Sequence, residues 1–248
     1  LVIGVSPVTD AALRTLLADR LAAVRGRIAT ACTRAGRQPT EVTLVAVTKT
    51  VSPRVAGLMA ELGVQDLGEN RPQELWRKAE ALKHLPIRWH LIGHLQRNKV
   101  ERTLPLVHMI HSIDSLRLLQ AVAETARKRG SCPPILLQVN ASHEEQKDGF
   151  GFDELIRDVP RIVTATAELD LAGLMCMAAY ANEPERARPT FRSLREFRDR
   201  LRAESVFGGV RPLAQLSMGM SGDFEVAVEE GATLVRIGTT LFEGLEAE

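Results

Sequence analysis

Lys49 closes the segment Glu41-Val-Thr-Leu-Val-Ala-Val-Thr-Lys49, an apolar run that reads as a buried strand, and Ser52-Pro53 opens a helix within three residues. In a chain that alternates strands and helices, the carboxyl ends of the strands carry the chemistry. A lysine placed there and withdrawn from water loses its proton near neutrality and can condense with an aldehyde. Otherwise it is a solvated strand end.

Later apolar runs close on Gly68-Glu69-Asn70, Ile92-Gly93-His94, His111-Ser112, Asn140, Met175, Ser217-Met218-Gly219-Met220-Ser221 and Arg236-Ile237-Gly238-Thr239. On a barrel these would form a polar ring at one mouth. In the last two, glycine and hydroxyl residues precede a helix start, where free backbone N–H groups and the positive end of the helix favour a phosphate. Barrels often place a phosphate group at their last two strands. Taken singly, each motif is also ordinary turn and cap chemistry. A Schiff-base lysine on the first strand, phosphate donors on the last two, and Arg236 two residues before Gly238 together point to pyridoxal 5'-phosphate.

Other constellations carry less. His90, His94, His108, His111 and His143 include no i, i+4 pair on a helix backed by a carboxylate, so no metal is expected. Trp76 and Trp89 lack the interleaved basic residues of a stacking platform and are expected to fill core. Seven arginines between Arg186 and Arg202 alternate with Glu196 and Asp199, next to Glu185 and Glu204, a pattern that predicts a solvated helix face.

The elements that must position these residues follow from periodicity. Leu13, Leu17, Leu21, Val24 and Ile28 recur at helical spacing, predicting an amphipathic helix over 10–36. Apolar runs near 42–48, 64–67, 88–92, 107–113, 134–140, 170–176, 213–217 and 232–237 then predict eight strands. Helical periodicity lies between them, as after the capping candidate Asp114 and after Pro189. The expected fold is α/β: a single (β/α)8 TIM-type barrel over 42–248 with an extra N-terminal helix, and a doubly wound sheet as the alternative.

Composition bounds the partners. With 45% hydrophobic residues and a net charge of +1, the chain has an ordinary globular make-up and no basic excess to announce nucleic acid or an anionic membrane. No apolar stretch approaches a membrane span, and the opening Leu1-Val-Ile-Gly-Val5 is too short for a signal region. Cys32, Cys132 and Cys176 are odd in number and widely spaced, which fits reduced thiols in the cytoplasm.

The chain resembles the YggS/PROSC group of pyridoxal phosphate homeostasis proteins. The resemblance rests on Leu44-Val-Ala-Val-Thr-Lys49-Thr, Gly68-Glu69-Asn70 with Gln73-Glu74, Trp89-His90-Leu-Ile-Gly93-His94-Leu-Gln96 with Asn98-Lys99, His111-Ser-Ile-Asp114, Gly173-Leu174-Met175, Leu216-Ser217-Met218-Gly219-Met220-Ser221 and Val235-Arg236-Ile237-Gly238-Thr239. It implies one domain over 1–248, similar to the N-terminal domain of alanine racemase, with pyridoxal phosphate in Schiff-base linkage to Lys49. It further implies Ser217, Gly238 and Thr239 at the phosphate, Arg236 at the pyridine nitrogen and Asn70 close to the ring. Two departures alter the rim: Arg71-Pro72 stands where the family commonly has Tyr-Val, and Lys147-Asp148-Gly149 where it has Lys-Ser-Gly.

Arg236 separates the functional readings, because a guanidinium keeps its proton and leaves the ring nitrogen neutral, a poor electron sink. The racemases that share this barrel also use arginine, but add a second base, typically a tyrosine, from another domain. Here the single tyrosine, Tyr180, follows the sixth predicted strand, and no room for such a domain is expected. The leading expectation is therefore a non-catalytic carrier in pyridoxal phosphate homeostasis, monomeric, cytoplasmic and with apoenzymes that need the cofactor as candidate partners. The alternatives are a pyridoxal phosphate-dependent amino-acid racemase and a cofactor-free Schiff-base aldolase acting through Lys49.

Overall fold

The computed structural model describes residues 9–130, 133–142, 148–167, 169–179, 181–207 and 213–245. Leu1 to Val5, Cys132, His143, Lys147 and Tyr180 lie outside the described residues. Eight strands, β1 (Thr43–Val47), β2 (Asp66–Glu69), β3 (Arg88–Leu91), β4 (Met109–Ile113), β5 (Ile135–Gln138), β6 (Leu171–Met175), β7 (Gln215–Ser217) and β8 (Leu234–Ile237), pair in parallel in chain order. The barrel closes where β8 pairs with β1, in register from Thr43 opposite Leu234 to Ala46 opposite Ile237. The helices between strands are α2 (Pro53–Glu61), α3 (Pro72–Ala81), α4 (Val100–Thr103), α5 (Leu116–Arg129), α6 (Phe152–Ala165), α7 (Arg188–Ala203) and α8 (Phe224–Glu229), after α1 (Asp10–Arg34) and before α9 (Thr239–Phe242). This is the predicted barrel with its extra helix, rather than the open sheet.

Local chemistry explains the element ends. Thr9 caps α1 by accepting from the Ala12 amide at 3.3 Å, and Ser52 caps α2 just ahead of Pro53, whose missing N–H costs nothing in a first turn. Ser115, rather than Asp114, caps α5, because the Asp114 carboxylate is taken by His94 at 2.9 Å. β2 begins at Asp66 and runs past the apolar residues 64–67 to Glu69, since both carboxylates find buried partners and so continue a strand that apolarity alone would end.

The long first helix has a definite task. The last two helices are only six and four residues long and leave the outside of the closing strands uncovered. Leu13, Leu17, Leu21, Val24 and Ile28 of α1 are buried over this gap, and α1 packs against both α8 and α9. Polar ties flank the stripe: Arg20 donates to the Leu241 carbonyl at 3.1 Å, and Arg27 pairs with Glu225 at 2.8 Å.

The arginine-rich segment departs from the expected solvated face. Arg188, Arg192 and Arg195 of α7 converge on Glu230, whose side chain is 5% exposed, and Arg188 also reaches Glu229. A helical spacing of three to four residues puts these arginines on one side, so the charges fasten α7 to the end of α8, with Arg192 still half exposed to water. Glu230→Gln should lower the unfolding free energy by about 1.5–3 kcal/mol, the range for hydrogen bonds to charged groups. Urea denaturation beside Glu80→Gln, which breaks only the exposed pair with Lys83, checks this; equal effects would contradict the clamp.

Candidate functional site

Lys49 is carried into place by a lock behind it. Where β1 ends, the Thr48 amide donates to the Gly68 carbonyl at 3.0 Å and the Thr48 hydroxyl to Glu69 Oε1 at 2.6 Å. From α3 the Lys78 ammonium, 1% exposed, reaches both the Thr48 carbonyl and Glu69 Oε1 at 2.6 Å. Every polar atom of Thr48 is thereby held, and the next residue turns out over the mouth of the barrel. Lys49 is exposed there and makes no hydrogen bond or ion pair with the described residues.

The mouth holds a cavity of about 480 Å³, a volume suited to a small-molecule ligand. Its wall brings together Lys49, Asn70, Ile92, Gly93, His94, Asp114, Gln138, Met220, Ser221, Arg236, Gly238 and Thr239. Lys49 is the one lysine on that wall among the described residues. Gly93 is required there: a Cβ at that position would overlap the Asn70 backbone carbonyl, and the Ser112 hydroxyl fixes the turn by donating to the Gly93 carbonyl at 2.7 Å.

Beside Lys49 lies a cluster of backbone donors. Ser221 Oγ accepts from the Gly238 and Thr240 amides, at a long 3.3 Å each, while the amides of Ser221, Gly222 and Thr239 meet no acceptor among the described residues. Gly219 adopts φ +91°, which lets the loop fold back over α8. Such convergent N–H groups suit a phosphate. Arg236, on the same cavity wall and 3% exposed, donates to Ser217 Oγ at 2.6 Å and to the Cys176 carbonyl at 3.0 Å. A free amine, an anion cradle and a fixed guanidinium in one cavity can capture an anionic aldehyde.

Residues 20–246 match the family model described as alanine racemase, N-terminal domain. The chain is 43% identical over 224 residues to the pyridoxal phosphate homeostasis protein of Aquifex aeolicus, covering 90% of this chain and 96% of that one. The chain belongs to the pyridoxal phosphate homeostasis protein family. It is also 34% identical over 235 residues to the Escherichia coli K12 member, with 91% and 95% of the two chains covered. PipY of Synechococcus elongatus, solved with pyridoxal phosphate bound, superposes with a TM-score of 0.79 at 31% identity over 91% of this chain and 99% of that one.

Of the residues read from the sequence, Lys49, Asn70, Arg236, Gly238 and Thr239 all reach the cavity. Ser217 does not. It is fully buried, its hydroxyl is engaged by Arg236 and by His111 Nδ1 at 2.8 Å, and it lies beneath Arg236; Ser221, four residues on, stands at the wall instead. His111 likewise leaves the ring for the barrel interior, and Met175 packs in an inner cluster with Val45, Met109, Leu136 and Leu234. Asp148, one of the two departures, lines the cavity, and its backbone carbonyl accepts from Gln138 Nε2 at 2.9 Å. Missed altogether was Lys78, whose place beside Leu75 and Ala79 on a buried helix face was the available signal.

Electrostatics divide the site. Burial lowers the Arg236 guanidinium from its ordinary value, against charge from Cys176 and Asp223, and burial raises the Asp223 carboxyl on the cavity wall. Burial also pushes His111 well below its ordinary 6.5, with the Arg236 charge acting the same way.

Two outcomes follow from these contacts. Lys78→Met leaves Glu69 buried without a counter-charge, and Glu69 Oε2 already has no partner, so stability should fall by about 3–5 kcal/mol in urea; a loss under about 1 kcal/mol would contradict the lock. His111 takes up a proton at 6.5 in the unfolded chain but resists it when folded, so stability declines as pH drops below that value. His111→Gln should flatten this decline between about pH 7 and 5, by at most about 1.4 kcal/mol per pH unit, and an unchanged slope would contradict it.

Proposed function

We propose that the protein binds pyridoxal 5'-phosphate through Lys49 and takes part in intracellular pyridoxal phosphate homeostasis. The observation that carries this reading is the unpartnered Lys49 amine facing a cavity whose neighbouring wall is the amide cluster of Ser221, Gly222 and Thr239. The donor set fits the cofactor: an amine for its aldehyde, backbone N–H groups for its phosphate and a guanidinium for the ring edge. When bound, the cofactor supplies the electrophilic carbon with which a primary amine condenses, releasing water.

The chain's own residues then divide the work. Lys49, once it gives up its proton, forms the covalent bond and is held at the mouth by Thr48 and the Glu69–Lys78 pair behind it. Gly238, Thr239 and Ser221 would hold the phosphate, at a place where Ser221 Oγ meets the Gly238 and Thr240 amides. Arg236 presents an acceptor-free edge to the ring nitrogen, so the ring stays neutral there. Asn70, just beyond the end of β2, would border the ring.

The names of the relatives favour homeostasis over racemisation, and PipY supports the cofactor. Cys32 and Cys176 are buried and stand outside any disulfide among the described residues, which fits a reducing cytoplasm. No helix among the described residues is long and apolar enough to cross a membrane. The carrier acts as a monomer and delivers the cofactor to apoenzymes.

Incubation with pyridoxal phosphate followed by borohydride reduction and peptide mapping tests the reading. The label is expected on Lys49, and Lys49→Ala should abolish both the label and the visible absorbance that survives dialysis. A main label on another lysine would overturn the assignment.

A further inference from the structure

Beneath Arg236 a single file of hydrogen bonds crosses the barrel interior. Arg236 donates to Ser217 Oγ at 2.6 Å, Ser217 Oγ meets His111 Nδ1 at 2.8 Å, His111 Nε2 meets His90 Nδ1 at 2.8 Å, and His90 Nε2 meets Asp66 Oδ1 at 2.9 Å. His90 and His111 are 1% and 0% exposed. Asp66, at the start of β2, also takes Arg88 at 2.8 Å and borders a separate pocket at the opposite end of the barrel.

Hydrogen counting leaves one consistent direction. The Arg236 guanidinium has no acceptor, so Ser217 Oγ must accept from it and is free to donate its own hydrogen to His111 Nδ1. His111 then carries its hydrogen on Nε2 and donates to His90 Nδ1, and His90 carries its hydrogen on Nε2 and donates to the Asp66 carboxylate. Every group is satisfied and both rings are uncharged. The reverse direction puts a hydrogen on His111 Nδ1, gives Ser217 two donors and leaves its own hydrogen without an acceptor among the described residues. It also makes His90 a buried cation, because His90 must face Asp66 and His111 with a hydrogen on each nitrogen.

We infer that Asp66, His90, His111 and Ser217 form a one-way hydrogen-bond chain that positions Arg236, its direction fixed by the donor-only guanidinium at one end and the acceptor-only Asp66 carboxylate at the other. Burial raises the Asp66 carboxyl, but the hydrogen bonds from Arg88 and His90 outweigh it and hold it well below the carboxylate range, so it remains an acceptor only. Ser217 and His111 are therefore positioning residues. They hold the guanidinium plane toward the cavity without touching a ligand. The consequence for a bound ring rests on the cofactor reading above; the direction of the chain does not.

Nitrogen-15 NMR of histidine in the full-length protein without cofactor tests the direction. His90 and His111 are both expected as Nε2–H tautomers at neutral pH. Ser217→Ala should move the His111 Nδ1 resonance downfield as it loses its donor. Asp66→Asn, whose amide can accept or donate, should turn His111 into a tautomer mixture once Ser217→Ala has removed the other fixed end, whereas Asp66→Asn alone and Arg88→Gln should leave it as the Nε2–H tautomer. A hydrogen on His111 Nδ1 in the wild type, a doubly protonated His90, or an unaltered His111 tautomer in the Ser217→Ala, Asp66→Asn double variant would overturn the inference. In protein loaded with pyridoxal phosphate, Ser217→Ala should also shift the visible band, and an unshifted band overturns the link to the cavity. A wild-type protein that gains no band at all speaks against the cofactor reading and leaves the tautomers to decide the chain.

Discussion

The pairing of the first strand with the last governs this molecule. In register, Val45 lies opposite Arg236 and Ala46 opposite Ile237, so a lysine just beyond one strand and a glycine and threonine just beyond the other meet at one mouth. A parallel sheet gives all its strands the same direction, and closure brings their carboxyl ends into a ring. An open sheet would leave β1 and β8 at separate edges. The lysine, the guanidinium and the amide cluster are a single site only because no edge remains.

Closure also creates a small interior that must be filled without voids. Apolar residues fill part of it, Val45, Met109, Leu136, Met175 and Leu234. Polar groups fill the rest, and each must find a partner, since an unmet buried hydrogen bond costs about 1–3 kcal/mol. That requirement links Arg236 to Ser217, the two histidines and Asp66 in one file. It operates again outside the barrel wall, where Glu69 and Lys78 pair around Thr48. The reactive lysine is exposed, and the charges that position the site are buried behind it.

Much of this was legible in the sequence, and the misses have physical causes. That Lys49, Asn70, Arg236, Gly238 and Thr239 border one cavity was legible because strand ends point to one face, whatever the loops do. Ser217 was misplaced because it is the last residue of β7 and turns inward, whereas the cavity begins where the strand has already ended; a count of apolar residues cannot see that boundary. Asp66 and His90 carry no spacing signal, since their partners come from neighbouring strands and are matched by register rather than by sequence distance. Lys78 was readable in principle, as a lone charge on the buried stripe of α3, but its partner Glu69 lies in a strand that apolarity alone would have ended sooner. The arginines of α7 showed the limit of charge patterning: alternating signs look the same whether the partner is water or the next helix.

A crystal structure of the protein soaked with pyridoxal phosphate tests the central claim most directly. The account predicts unbroken electron density from Lys49 Nζ into a ligand within the cavity, with the phosphorus peak against Ser221, Gly238 and Thr239 and the ring edge facing Arg236. Density for the ligand joined elsewhere, with Lys49 turned out to solvent and nothing anionic against those three residues, would contradict it.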